Sequence, residues 1–164
     1  MTRRARTIGA ALLVLAACAH RTPQTAPTAV PTMLIDSRGI VMPLREAVGK
    51  IGFRPYLPRD PVLAIAVIPP LGGADTTASR GIAVEYLSGR AHLVLSEWPR
   101  GSFDLSFGRK DITFDPCTPV AYAPNEYAWT TRTGLAMTLQ PDGEPPASGI
   151  LGEARRLIAL GACR

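Results

Sequence analysis

The chain is 164 residues long and carries 18 Lys and Arg against 13 Asp and Glu, a formal net charge of +5. That length suits one folded core rather than several domains. The positive charge does not point to nucleic acid. Arg3, Arg4 and Arg6 stand together at the amino terminus, and without them 15 basic residues face 13 acidic ones. The remaining basic residues are scattered, with Arg109-Lys110 and Arg155-Arg156 the only adjacent pairs. A phosphate-tracking surface would concentrate them on one face.

Residues Met1 to Arg6 contain three arginines and no acid, and Ile8 to Ala17 is an unbroken run of apolar and small residues. Together they form the charged and apolar regions of an export signal. Ten residues are too few to cross a hydrocarbon core, which takes about 20 in a helix. The run ends Leu15-Ala16-Ala17-Cys18, which resembles the lipobox of bacterial lipoprotein signals. In that class the cysteine thiol receives a diacylglycerol and the peptide is cut before it. The expectation is a signal peptide over 1–17 and lipidation at Cys18. The alternative is an ordinary signal, cut by the general peptidase after an Ala-x-Ala-like site. Thr2-Arg3-Arg4 also resembles a twin-arginine signal, but Ala5 and Arg6 replace the large apolar residue expected next, which favours the general route. Two acyl chains, at about 0.8 kcal/mol per buried CH₂, anchor stably where one is marginal. Ala19 is not the aspartate that retains lipoproteins at an inner membrane. The expected location is therefore the periplasmic side of an outer membrane, or the outer face of the cell membrane where no outer membrane exists.

Residues 18–32 are rich in Pro, Thr and Ala without apolar periodicity, the composition of an extended tether. The folded domain is expected over 33–164. Leu44, Ala47, Val48 and Ile51 fall at i, i+3, i+4 and i+7, one face of a short helix that opens at Pro43 and stops at Gly52. Val62 to Ile68 is apolar throughout and reads as a strand covered on both sides, and Leu71 to Arg80 as a loop. Ile82 to Leu87 and Ala91 to Trp98 predict a hairpin across Ser88-Gly89-Arg90. Further strands are expected over Lys110 to Phe114, Tyr127 to Thr131 and Leu135 to Gln140, the last two joined at Arg132-Thr133-Gly134. Ile150, Leu151, Ala154, Leu157, Ile158 and Gly161 mark the stripe of a closing helix, with Ser148 as its N-cap. Helix, strands, helix, with no βαβ alternation, predicts an α+β domain. Its antiparallel sheet would have about five to six strands, with both helices packed on one face.

With Cys18 committed to lipid, Cys117 and Cys163 remain as an even pair in a compartment that permits disulfides. A bond between them would close a loop of about 46 residues, worth roughly 4 kcal/mol in chain entropy. The alternative is two reduced, unconnected thiols. Their spacing excludes a Cys-x-x-Cys redox motif, and no nearby histidine completes a zinc set.

Ala47-Val48-Gly49-Lys50-Ile51-Gly52-Phe53-Arg54-Pro55-Tyr56-Leu57-Pro58 is a helix running into an extended aromatic and proline entry. Val84-Glu85-Tyr86 precedes the first hairpin, Ala128-Trp129 and Gly134-Leu135 fall in the second, and Ala154 and Ile158 lie on the terminal helix. Together these resemble an uncharacterised bacterial extracytoplasmic family, distantly similar to lipoprotein-carrier-like sensors. Its members occur as lipoproteins and as the outer segments of membrane-bound anti-sigma factors. The resemblance implies an envelope binding or sensing role and carries no catalytic residues. The two late cysteines depart from its pattern.

Few residues offer chemistry. His92 is the sole histidine beyond the tether, and Ser96 and Asp104 are the partners a hydrolase would need. Without a Gly-x-Ser-x-Gly elbow the pattern favours a solvent-facing strand histidine, and no catalytic residue is assigned. Asp111 and Asp115 lack the dense oxygen ligands of a calcium loop, so no metal is expected. Glu85 and Glu97 could pair as glycosidase carboxylates, but so could any two acids on neighbouring strands. Gly72-Gly73 is an isolated pair, not a phosphate cradle, and no cofactor is expected. Of the aromatics, most are expected in the core. Tyr86, Trp98, Tyr127 and Trp129 are the candidate binding surface should some be exposed. The expected function is a non-enzymatic binding, sensing or assembly-accessory lipoprotein whose partners are a membrane and an envelope protein or lipid. A small hydrolase using His92 and a purely structural surface protein are the alternatives.

Overall fold

The computed structural model describes residues 39–70, 74–102 and 114–164. The signal peptide, Cys18 and the tether lie outside the described residues. So do Asp104, Asp111, Gly72-Gly73 and most of the strand expected over Lys110 to Phe114.

Seven strands form one antiparallel sheet, where the sequence pattern predicts five to six. They are β1 (Ile40–Val41), β2 (Val62–Ile68), β3 (Gly81–Ser88), β4 (Ala91–Trp98), β5 (Val120–Ala123), β6 (Glu126–Thr130) and β7 (Ala136–Pro141). The spatial order is β1-β2-β3-β4-β7-β6-β5. Two helices accompany them, α1 (Leu44–Lys50) and α2 (Gly149–Ala159). The two unexpected strands are the two edges. β1 is too short to show an alternation of its own. β5 sits between Pro119 and Pro124, which punctuate a sequence as a loop yet are tolerated beside an edge strand.

The hairpins follow from local turn chemistry. Ser88 pairs with Ala91, so β3 and β4 are joined by Gly89-Arg90 alone, and Gly89 has φ +65°, as a primed turn requires. Ala123 pairs with Glu126 across Pro124-Asn125, and Asn125 takes φ +61°. The β6–β7 turn is closed by Thr131, whose backbone N–H donates to the Leu135 carbonyl at 2.9 Å and whose hydroxyl accepts from the Leu135 N–H at 2.9 Å.

Register assigns each residue to a face. Val84 pairs with Ile65 and with Leu95, and Leu95 pairs with Leu139. Along this face Ile65, Val67, Ile82 and Val84 form a buried cluster with Ala47 of α1 and with Ile51 beyond it. Tyr86, Leu93, Leu95, Trp129, Met137 and Leu139 form another with Ile150, Ala154 and Leu157 of α2. Burial of each such side chain contributes roughly 2 kcal/mol. The opposite face is also buried: Ala66, Ile68, Ala83, Val94, Trp98, Ala128 and Ala136 cluster with Phe114 and Tyr122 packed against them. Gly81 is required beneath Trp98, since a Cβ there would lie 2.5 Å from the indole.

Three local expectations are corrected. Val48 is 44% exposed, because the two-turn helix α1 turns only a narrow side toward β2. Ser148 holds the N-cap position of α2 as expected, but in helical conformation and without a side-chain cap bond. Gly161 does not continue the α2 stripe. With φ +111° it closes the helix in a Schellman turn, in which Gly161 N–H donates to the Ile158 carbonyl and Ala162 N–H to that of Leu157.

Residues after that turn return to the sheet. Trp129, fully buried, donates its indole N–H to the Ala162 carbonyl at 3.3 Å, and Thr133 Oγ1 donates to the Arg164 carbonyl at 3.1 Å. Cys163 is joined to Cys117 by a disulfide, with Cα atoms 5.5 Å apart. The expected pairing of the two late cysteines is therefore present. Among the described residues no helix is long and apolar enough to cross a membrane.

Candidate functional site

A cavity of about 810 Å³ opens where the segment Gly52–Leu57 after α1, the end of β4, the β6–β7 turn and the residues after α2 converge. Its size falls within the range of small-molecule sites. Phe53, Leu57, Leu135, Met137 and Leu160 supply apolar wall, and Arg54, Arg59 and Arg164 are its exposed cations. Arg164 lies against the glycine of the Schellman turn, where an added Cβ at Gly161 would come within 2.9 Å of its Nε.

Glu97 is the chemical centre of this cavity. Strand alternation puts it on the same face as Leu93 and Leu95, where solvent access falls to 1%. Its neighbours across the sheet are Ile82 and Met137, neither of which can hydrogen-bond through its side chain. One backbone N–H, that of Tyr56, donates to both carboxyl oxygens at 3.0 and 3.2 Å. Burial pushes the acid up to about 8 and the Tyr56 N–H pulls it partly back, so near neutral pH the carboxyl is mostly protonated. Tyr56, on the same wall, has its hydroxyl buried without a hydrogen-bond partner among the described residues. Its acidity is lowered by burial, partly opposed by the charges of Arg156, Arg59 and Arg164.

A second ionic group is structural. Glu153 of α2, 1% exposed, accepts from the Tyr86 hydroxyl at 3.0 Å and from Arg156 Nε and Nη2 at 2.8 and 2.6 Å. Arg156 also reaches Asp60 at 2.5 Å. The cluster ties α2 to β3 and to the approach to β2. Burial and the Glu153 carboxylate raise the Tyr86 hydroxyl well above the ordinary tyrosine range.

The residues singled out in the sequence are distributed differently. Glu85 and Glu97 do not form a catalytic pair. Glu85 pairs with Val94 while Glu97 pairs with Ile82, and this parity puts them on opposite faces with the sheet between. His92 lies 3.5 Å from Glu85, not beside Ser96. Four residues along a strand separate the His92 and Ser96 backbones by about 13 Å. Glu85, His92 and Asp142 bring three potential ligand atoms within 4.8 Å of one another, and are the described residues that could hold a cation. Asp115 is exposed. Tyr86 and Trp129 are fully buried and Trp98 nearly so, while Tyr127 is half-buried against the core. The four aromatics therefore fill the interior and do not make an open surface, because large apolar rings gain most where both faces of the sheet are covered. Glu153 falls three residues after Ile150 and four before Leu157, on the apolar stripe of α2, so its spacing signalled burial that its charge argued against. The signal for Glu97 was its place in the alternation after Leu93 and Leu95.

No protein-family model matches the chain, and comparison with curated proteins and with solved structures finds no match.

Proposed function

We propose that this chain is an exported lipoprotein, held at a membrane surface by acyl chains on Cys18. Its folded domain is a non-enzymatic binding module of the cell envelope with a sensing or assembly-accessory role, and its ligand occupies the cavity beside Glu97. One observation carries the binding reading: a buried carboxyl, with one hydrogen-bond donor among the described residues, stands in the wall of a cavity lined by apolar side chains and three exposed arginines. Proteins seldom leave a polar group so under-partnered unless something else completes it. The lipobox, the tether and the late disulfide support export, and the resemblance to extracytoplasmic lipoproteins and anti-sigma-factor outer segments fits the same address. In this reading both helices cover one face of the sheet, so the ligand enters at the end where neither helix closes the layer.

The test uses anilinonaphthalene sulfonate, an apolar anion of suitable size, titrated by fluorescence into the mature domain with its near-ultraviolet dichroism monitored. Saturable binding by the native domain, lost in Leu135→Trp and in the more exposed Thr133→Trp, is the expected result. Dye binding indifferent to both substitutions would remove the cavity from consideration.

A further inference from the structure

We propose that the ligand of this cavity is a short apolar peptide, or a compound of the same chemistry, which presents an ammonium group to Glu97 and an anionic group to the arginines. The proposal rests on the binding reading above and adds the ligand class to it.

Three features of the cavity determine that chemistry. At the inner wall, an ionised Glu97 offers about four acceptor sites, of which the Tyr56 N–H fills at most two. No arginine of the cavity is hydrogen-bonded or ion-paired to it among the described residues. A group that completes the ionised carboxyl donates, and an ammonium has three N–H bonds and the charge to hold that carboxyl ionised. Arg54, Arg59 and Arg164 line the same cavity, are exposed, and make no ion pair with a described carboxylate. Guanidinium groups recognise carboxylate and phosphate by paired hydrogen bonds. Beside both, Phe53, Leu57, Leu135, Met137 and Leu160 favour an apolar body.

A fatty acid satisfies the apolar wall and the arginines but leaves Glu97 facing hydrocarbon. A simple amine satisfies Glu97 but not the arginines. A free peptide with apolar side chains meets all three demands, with its amino terminus inward and its carboxylate outward. Binding then transfers the Glu97 proton to solvent, and the carboxylate so formed is neutralised by the ligand ammonium.

The probe is trileucine, titrated calorimetrically into the mature domain beside N-acetyl-trileucine, which lacks the ammonium, and trileucine amide, which lacks the carboxylate. The expected result is that trileucine binds about tenfold or more tightly than either analogue, since the acetylated peptide has no ammonium to donate to Glu97 and the amide has no anion for the arginines. Glu97→Gln, which keeps the shape and an acceptor for the Tyr56 N–H, should abolish the preference over the acetylated peptide only. Arg164→Ala should weaken the preference over the amide only. No trileucine binding, equal binding of the acetylated peptide, or an unchanged preference in Glu97→Gln each overturns the proposal. If in those cases the sulfonate dye still binds and is still lost in Leu135→Trp, the cavity remains a binding site for another ligand. If the dye result fails too, the binding reading falls with the peptide.

Discussion

Replacing Glu97 by glutamine is the most direct probe of the cavity's physical state. The carboxyl is raised to about 8 in the folded domain, against an ordinary value of 4.5 when unfolded. Below the unfolded value both states are protonated and the residue contributes no pH dependence. As pH rises, the unfolded chain releases its proton first, so the folded state is progressively disfavoured until its own carboxyl ionises near pH 8. At pH 7 this costs roughly 3 kcal/mol, and the penalty levels off near 5 kcal/mol above pH 8. Glutamine imitates the protonated acid in shape and still accepts from the Tyr56 N–H, but it cannot ionise. Glu97→Gln should therefore match the parent near pH 4 and exceed it in stability by roughly 3 kcal/mol at pH 7. In a domain of this size that is a rise in Tm of about 10 °C. Urea unfolding of parent and variant across pH 4 to 8, with m-values compared, gives the difference free of other titrating groups. A difference that stays flat over that interval would mean that Glu97 is ionised in the folded domain and that the environment assigned to it here is incorrect.

Three further outcomes follow from the packing, and a fourth from the lipobox. Replacing Cys117 and Cys163 by serine opens a 46-residue loop and should lower stability by roughly 4 kcal/mol, read by calorimetry, with the parent in reductant reproducing the loss. Arg156→Ala leaves Glu153 buried beside Tyr86 with no cation. It should cost about 3 kcal/mol, discounted for the part of Arg156 that water reaches, and Glu153→Gln in the same background should recover much of it. Gly161→Ala forces a side chain into φ +111° against the Arg164 guanidinium. It should cost about 1 to 2 kcal/mol by thermal melting and weaken dye binding, because the residues that turn back to the cavity follow it. Cys18→Ser should move the chain from the detergent phase to the aqueous phase of a detergent partition, and intact-mass spectrometry of the parent should show an acylated amino terminus.

Much of the fold was legible in the chain. Val62 to Ile68 is seven apolar residues bounded by prolines, and it forms the expected strand, covered over Ile65 to Ile68 but not at Val62, which is exposed. The β3–β4 hairpin is written in the alternation on either side of Gly89, and α2 in the spacing of Ile150, Ala154 and Leu157. The even pair of late cysteines named its own partner. These are short-range signals, set by side-chain period and by turn residues whose φ the neighbours cannot alter. Edge strands escaped because two or four residues between prolines cannot display a period. The roles of the acids escaped for another reason. Whether Glu85 and Glu97 share a face depends on the exact register of a two-residue hairpin. Whether Glu97 sees water depends on Tyr56, 41 residues away, and Glu153 is buried by a tyrosine 67 residues earlier. Burial of a charge is a property of everything packed around it. The strand pattern alone therefore puts a carboxyl on a face, and only the assembled layers decide that it is enclosed and raised in pKa.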